Sequence, residues 1–157
     1  MQERCYGITF TGPVGGGKSF YACCIANALI DRGVKVLVTR LSDLVRNRVQ
    51  DKSAVMDLHD YELIVLDDIG VESATQTAYN IIDDIYRARI PLIITTNLSL
   101  SQLKESNSIE KQRIYDRILQ RASYPIKVEI TISRLDIARK NAKDTQDILN
   151  EEALIKE

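Results

Sequence analysis

The sequence predicts an α/β domain: a parallel β-sheet covered by helices, with a phosphate-binding loop after its first strand. Two observations predict it. Apolar runs of strand length alternate with helix-length patterns along the chain, and such alternation calls for parallel strands joined by right-handed helical crossovers. The octet "GPVGGGKS", Gly12 to Ser19, follows the first of those runs and precedes the first helix, with the spacing G-x-x-x-x-G-K-[ST]. At 157 residues, with 45% hydrophobic and 27% charged residues, the chain has the length of one domain and enough apolar material for a core.

Each element follows in turn. "CYGITFT" is a strand ending in the glycine loop, and "KSFYACCIANALIDRG" is a helix with Phe20, Cys24, Ala28 and Leu29 along one face and Gly33 as its stop. "VKVLVT" is the second strand, and a short helix runs from Ser42, its expected N-cap, to about Gln50. "ELIVLDD" is apolar on both faces, as expected in the middle of a parallel sheet. "TQTAYNIIDDIYRA" is helical, with Ala78, Ile81, Ile82 and Ile85 on one face. "PLIITTN" is the fourth strand, opened by Pro91. Ser101 is expected to cap a short helix, "EKQRIYDRILQRA" is a longer one, and "IKVEITI" is the fifth strand. A polar, helix-prone tail occupies 135–157, and the whole chain reads as a single domain.

Composition narrows the class. A formal net charge of −1 gives no global positive field for nucleic acid, so any basic surface is local. Cys5, Cys23 and Cys24 are odd in number and lack zinc spacing, which predicts small buried hydrophobes in a reducing cytoplasm. No apolar run approaches the ~18 residues of a membrane span, and no leader precedes Gly12, so a soluble cytoplasmic protein without membrane contact is expected. The single His59 has no partner pattern and reads as surface.

The chemistry gathers at strand ends. Gly12, Gly15, Gly16 and Gly17, with Pro13 and Val14 between them, let the backbone turn its N–H groups toward a phosphate, and the following helix adds its N-terminal dipole. Lys18 is expected on the β- and γ-phosphates, Ser19 on Mg²⁺, and Phe20 beside the nucleotide. In "LIVLDDIG" an apolar strand delivers two carboxylates: Asp67 for Mg²⁺ through water, Asp68 to orient or deprotonate the attacking water. Asn97, ending "LIITTN", reaches toward the γ-phosphate or that water. Arg113, Arg117 and Arg121 recur every four residues as a basic stripe, and one of them is a candidate finger for a neighbouring subunit's phosphate. Arg139 in "DIARK" is a further arginine of this kind.

In this order the four elements resemble an AAA+ ATPase, and "LIVLDDIGVES" with "YRARIPLIITTNLSLSQL" resembles the ATPase domain of DnaC/DnaI-type helicase loaders and the related IstB-type transposition helpers. The similarity runs from about Tyr6 to Ala142. It implies a five-stranded sheet in the order 5-1-4-3-2, ATP and Mg²⁺ as ligands, and ring or spiral homo-oligomers. It implies roles as well: Asp67 for metal, Asp68 where many AAA+ proteins carry Glu, Asn97 as first sensor, Arg117 as arginine finger and Arg139 as second sensor. The implied partners are a replicative helicase or another replication or transposition protein, with single-stranded DNA a further candidate. The loaders' N-terminal helicase-gripping domain has no counterpart before the first strand, and the stretch between "LSDL" and "YELIVLDD" is shorter than the family pattern.

The leading expectation is therefore an ATP switch that loads a DNA-replication helicase, its near neighbour the transposition helper. A small-molecule kinase shares the loop and sheet but has no necessary role for "ITTN" or "DDIG". A non-hydrolysing ATP-binding scaffold would leave Asp68 without work.

Overall fold

The computed structural model describes residues 7–50, 57–70, 75–105 and 108–129. In chain order these form β1 (Ile8–Thr11), α1 (Lys18–Ile30), β2 (Val36–Thr39), α2 (Leu41–Gln50), a single 3-10 turn (Leu58–Asp60), β3 (Leu63–Ile69), α3 (Gln76–Arg87), β4 (Leu92–Thr96), α4 (Leu100–Lys104), α5 (Ile109–Arg121) and β5 (Tyr124–Lys127). The strands make one sheet in the order β2-β3-β4-β1-β5, the expected order read from the other edge. All four pairings are parallel.

Strand alternation divides the core between the two faces of the sheet. Leu63 and Val65 of β3 pack with Phe10, Ile93, Ala22 and Ala26 on the α1 side. Ile64 and Leu66 point the other way, into a larger cluster with Ile81, Ile82 and Ile85 of α3 and Ile114 and Ile118 of α5. Each such side chain, fully removed from water, contributes roughly 1.5–3 kcal/mol. The predicted face of α3 is therefore the buried one, and Thr75 caps α3 by accepting from the Ala78 amide.

Five local expectations are corrected. The α1 face that packs is Ala22, Ile25, Ala26 and Leu29, while Phe20 is 66% exposed and Ala28 is also exposed. Apolar residues surround this helix, so spacing did not single out a face, and alanines let it lie close to the sheet. Cys23 and Cys24 are accordingly exposed rather than buried, and Cys5 lies outside the described residues. Ser42 lies inside α2, because Leu41 is drawn into the core and the helix begins one residue earlier, with Arg40 O accepting from Asp43 and Leu44. Ser99, not Ser101, caps α4, in a reciprocal capping box with Gln102. The fifth strand is Tyr124–Lys127, beginning before Ile126 and ending before Val128, since pairing with β1 and not apolar alternation defines this exposed edge; 130–132 of the expected span lie outside the described residues. His59 is exposed, as expected. Among the described residues no helix is long and apolar enough to cross a membrane.

Candidate nucleotide site

Parallel pairing brings the C-terminal ends of β1, β3 and β4 together, where an open α/β sheet offers a crevice. A cavity of about 200 Å³ lies there, lined by Val14, Gly15, Gly17, Lys18, Ser19, Arg40, Asp67, Asp68, Thr95 and Asn97. Five of the residues singled out for chemistry, Lys18, Ser19, Asp67, Asp68 and Asn97, thus meet in one place.

The loop is shaped for an anion. Gly15 and Gly17 take φ of +83° and +84°, and Gly16 donates its amide to Pro13 O at 3.2 Å. Gly17 precedes α1 as its cap and has no side chain to offer the first-turn amides, the groups an anion takes at a helix N-terminus. Gly12 has φ +147°, and a Cβ there would lie 2.3 Å from Val128 O. Only glycine fits.

Lys18 is 7% exposed and donates to Gly12 O at 2.9 Å, Pro13 O at 2.7 Å and Asn97 Oδ1 at 2.7 Å. Burial pushes its ammonium below the ordinary lysine range, opposed by the charges of Asp68 and Asp67. Asn97 Nδ2 in turn donates to Asp68 Oδ1 at 3.2 Å. A continuous polar line therefore runs from loop lysine to strand-end amide to second carboxylate.

A second line concerns a metal. Ser19 Oγ donates to Asp67 Oδ1 at 2.7 Å, placing a hydroxyl and a carboxylate oxygen side by side. These hard oxygen donors fit Mg²⁺, which takes one or two carboxylate or hydroxyl ligands and completes its shell with water and phosphate. No group of three or more His, Cys, Asp or Glu side chains suited to a metal occurs among the described residues.

The remaining predicted residues stand apart. Gly12, Pro13 and Gly16 shape the loop without lining the cavity, and Phe20 lies outside the lining as well. Arg117 lines a different cavity, with Tyr79, Tyr86, Arg113, Asp116 and Gln120. There it pairs with Asp83, donates to Tyr79 Oη at 2.8 Å and stacks on the rings of Tyr79 and Tyr86. Arg113 is exposed, while Arg121 bonds Tyr86 O at 2.6 Å. Arg139 lies outside the described residues. Two lining residues escaped the motif reading: Arg40, at the end of a strand without any signature, and Thr95, which reads as an ordinary strand former.

The chain is 36% identical over 99 residues to an insertion-sequence ATP-binding protein of Sinorhizobium fredii, covering 57% of this chain and 33% of that protein. It is 30% identical over 118 residues to the replicative helicase loader DnaC of Escherichia coli, covering 69% of this chain and 48% of the loader. This chain thus spans between a third and a half of those two relatives. Among solved structures, DnaI aligns at a TM-score of 0.65 and 23% identity over 81% of this chain and 75% of that one. A DnaC helicase loader aligns at 0.62 and 22% identity, over 78% of each chain. Both likenesses establish the fold alone. The model of the IstB-like ATP binding protein family matches residues 2–141, and with a phosphate loop, paired carboxylates and a strand-end asparagine in one crevice, the chain belongs to that family.

Proposed function

We propose that this chain is the ATPase core of a DNA-replication helicase loader, an ATP switch that turns over slowly until a second subunit or partner completes its site. The observation that carries this reading is the line Lys18–Asn97–Asp68. An incoming γ-phosphate competes for Lys18, and that competition releases Asn97 and alters the setting of Asp68. Ligand state is thereby converted into a change at the hydrolytic carboxylate.

In the reaction, water attacks the γ-phosphorus, the bond to the β–γ bridging oxygen breaks, and ADP and phosphate leave. Asp68 accepts or orients the water's proton, Asn97 holds the water or γ-oxygen, and Lys18 neutralises charge on the β- and γ-phosphates. Ser19 and Asp67 would hold Mg²⁺, which screens phosphate charge when bound. The loop from Gly12 to Gly17, Pro13 and Val14 included, supplies the phosphate cradle, with Phe20 at the nucleotide's flank and Arg139 as a second sensor. Arg117 is assigned as the finger acting on a neighbouring copy, an interaction that can be worth 10³–10⁵ in rate. A homo-oligomer formed with ATP, a replicative helicase as partner, single-stranded DNA as ligand and a cytoplasmic setting follow from the same reading.

A second reading, ATPase helper of a transposase, is favoured by the higher identity to the insertion-sequence protein, 36% against 30%. The decisive experiment measures ATP turnover per subunit against protein concentration, with and without single-stranded DNA, replicative helicase or transposase. A rate that rises with concentration and with helicase supports the loader; stimulation by transposase alone transfers the assignment. A rate indifferent to concentration and partners overturns both.

A further inference from the structure

β3 and β4 pair in register at Leu66 with Ile94 and again at Ile69 with Thr96, with an irregularity between. Across that interval β3 holds two residues, Asp67 and Asp68, while β4 holds only Thr95. Two residues opposite one is a β-bulge, and a bulge re-aims side chains. The consequence is chemical. In a regular strand, consecutive side chains point to opposite faces, so adjacent carboxylates could not share a cavity. Here both line it. The backbone shows the distortion: Asp68 takes φ +60°, a left-handed conformation that costs a non-glycine residue roughly 1–2 kcal/mol.

Something must hold that bulge, and the hydroxyl of Thr95 does. Its Oγ1 accepts from the Asp68 amide at 2.9 Å and donates to Asp67 Oδ1 at 2.7 Å. Asp67 Oδ1 also accepts from Ser19. Thr95 is 1% exposed, so bulk water is shut out of its position. A hydroxyl accepts and donates at once, as the two contacts require; a methyl does neither.

We propose that Thr95 is a positioning residue for hydrolysis, its hydroxyl pinning the bulge that turns both carboxylates into one site. The proposal rests on the ATPase reading for its catalytic meaning, but its structural content can be read without nucleotide. It predicts that removing the hydroxyl uncouples metal-dependent from metal-independent nucleotide binding, because the loop and Lys18 remain while Asp67 loses its orientation.

The test compares wild type with Thr95→Val and Thr95→Ser. Amide hydrogen exchange at Asp68 is measured without nucleotide, and ATP affinity is measured in Mg²⁺ and in EDTA. In Thr95→Val, Asp68 protection and the Mg²⁺-dependent gain in affinity should each fall about tenfold, with EDTA affinity unchanged; Thr95→Ser should restore both. Should Thr95→Val not fold, Thr95→Cys, whose thiol is a weak donor and acceptor, takes its place with the same expectations. Wild-type protection and wild-type Mg²⁺ dependence in the hydroxyl-free variant overturn the proposal. If wild type binds no ATP, the ATPase reading fails, and the exchange measurement still decides whether Thr95 pins the bulge.

Discussion

Lys18 Nζ and Asn97 Oδ1 lie 2.7 Å apart, joining the phosphate loop to the end of β4 across 79 residues of sequence. The same ammonium also donates to the carbonyls of Gly12 and Pro13. Asn97→Ala should keep ATP affinity within about threefold and lower single-turnover hydrolysis about a hundredfold, the size of losing one positioned donor. Equal losses in both would make Asn97 a binding residue only.

The two carboxylates should separate by phenotype. Asp67→Asn keeps an oxygen that can accept from Ser19 and Thr95 but removes the negative charge a cation needs there, so ATP affinity should cease to respond to Mg²⁺. Asp68→Asn keeps those contacts, so it should bind ATP normally, turn it over at least ~100-fold more slowly, and accumulate ATP-bound oligomers. Sedimentation with retained nucleotide reads both.

Lys18 predicts an alkaline signature. Burial lowers its pKa in the folded chain below the 10.5 of a free lysine. Below that lowered value, the buried charge destabilises the ligand-free protein. As pH rises from there toward 10.5, the unfolded chain holds the extra proton and stability from this group increases. ATP requires the charged form, so affinity should fall over the same interval in which ligand-free stability gains. Lys18→Met should abolish both trends. Chemical denaturation and ATP titration across alkaline pH measure them.

Arg117 and Arg113 should behave differently. Arg117 is 28% exposed and pairs with Asp83, which is 12% exposed and also held by Arg87 at 2.7 Å. Arg117→Ala should destabilise the monomer by about 1–3 kcal/mol, since it removes a partner from a largely buried carboxylate. Arg113 is exposed, and Arg113→Ala should stay within about 0.5 kcal/mol of wild type. Loss of concentration-dependent turnover in Arg113→Ala, at full stability, would move the finger one helical turn from Arg117.

Arg40 brings a second cation to the cavity. Arg40→Ala should weaken ATP about tenfold and ADP about threefold or less, as expected if the guanidinium meets the terminal phosphate. Isothermal titration with both nucleotides gives the ratio, and equal losses would place Arg40 elsewhere on the ligand.

Legibility followed the physics of each segment. β3 and β4 announced themselves because both faces are buried, leaving unbroken apolar runs from Leu63 to Leu66 and Leu92 to Ile94. The loop and its strand-end partners were readable as motifs because phosphate chemistry restricts residue type at each step. α1 hid its packing face because its exposed side also carries Phe20, Tyr21 and Ile30. β5 hid its start because an exposed edge strand needs no apolar pattern. Thr95 and the bulge were invisible because the dipeptide Asp67–Asp68 does not disclose that only one residue stands opposite it.

The close approach of Gly12 to Val128 has a mechanical consequence. The Val128 amide bonds Thr11 O at 2.7 Å, and its carbonyl fills the space a Cβ on Gly12 would take. The chain leaving β5 therefore passes directly against the first residue of the phosphate loop. Force applied to that departing chain, by whatever it is fastened to, bears on the loop before it reaches any other part of the nucleotide site.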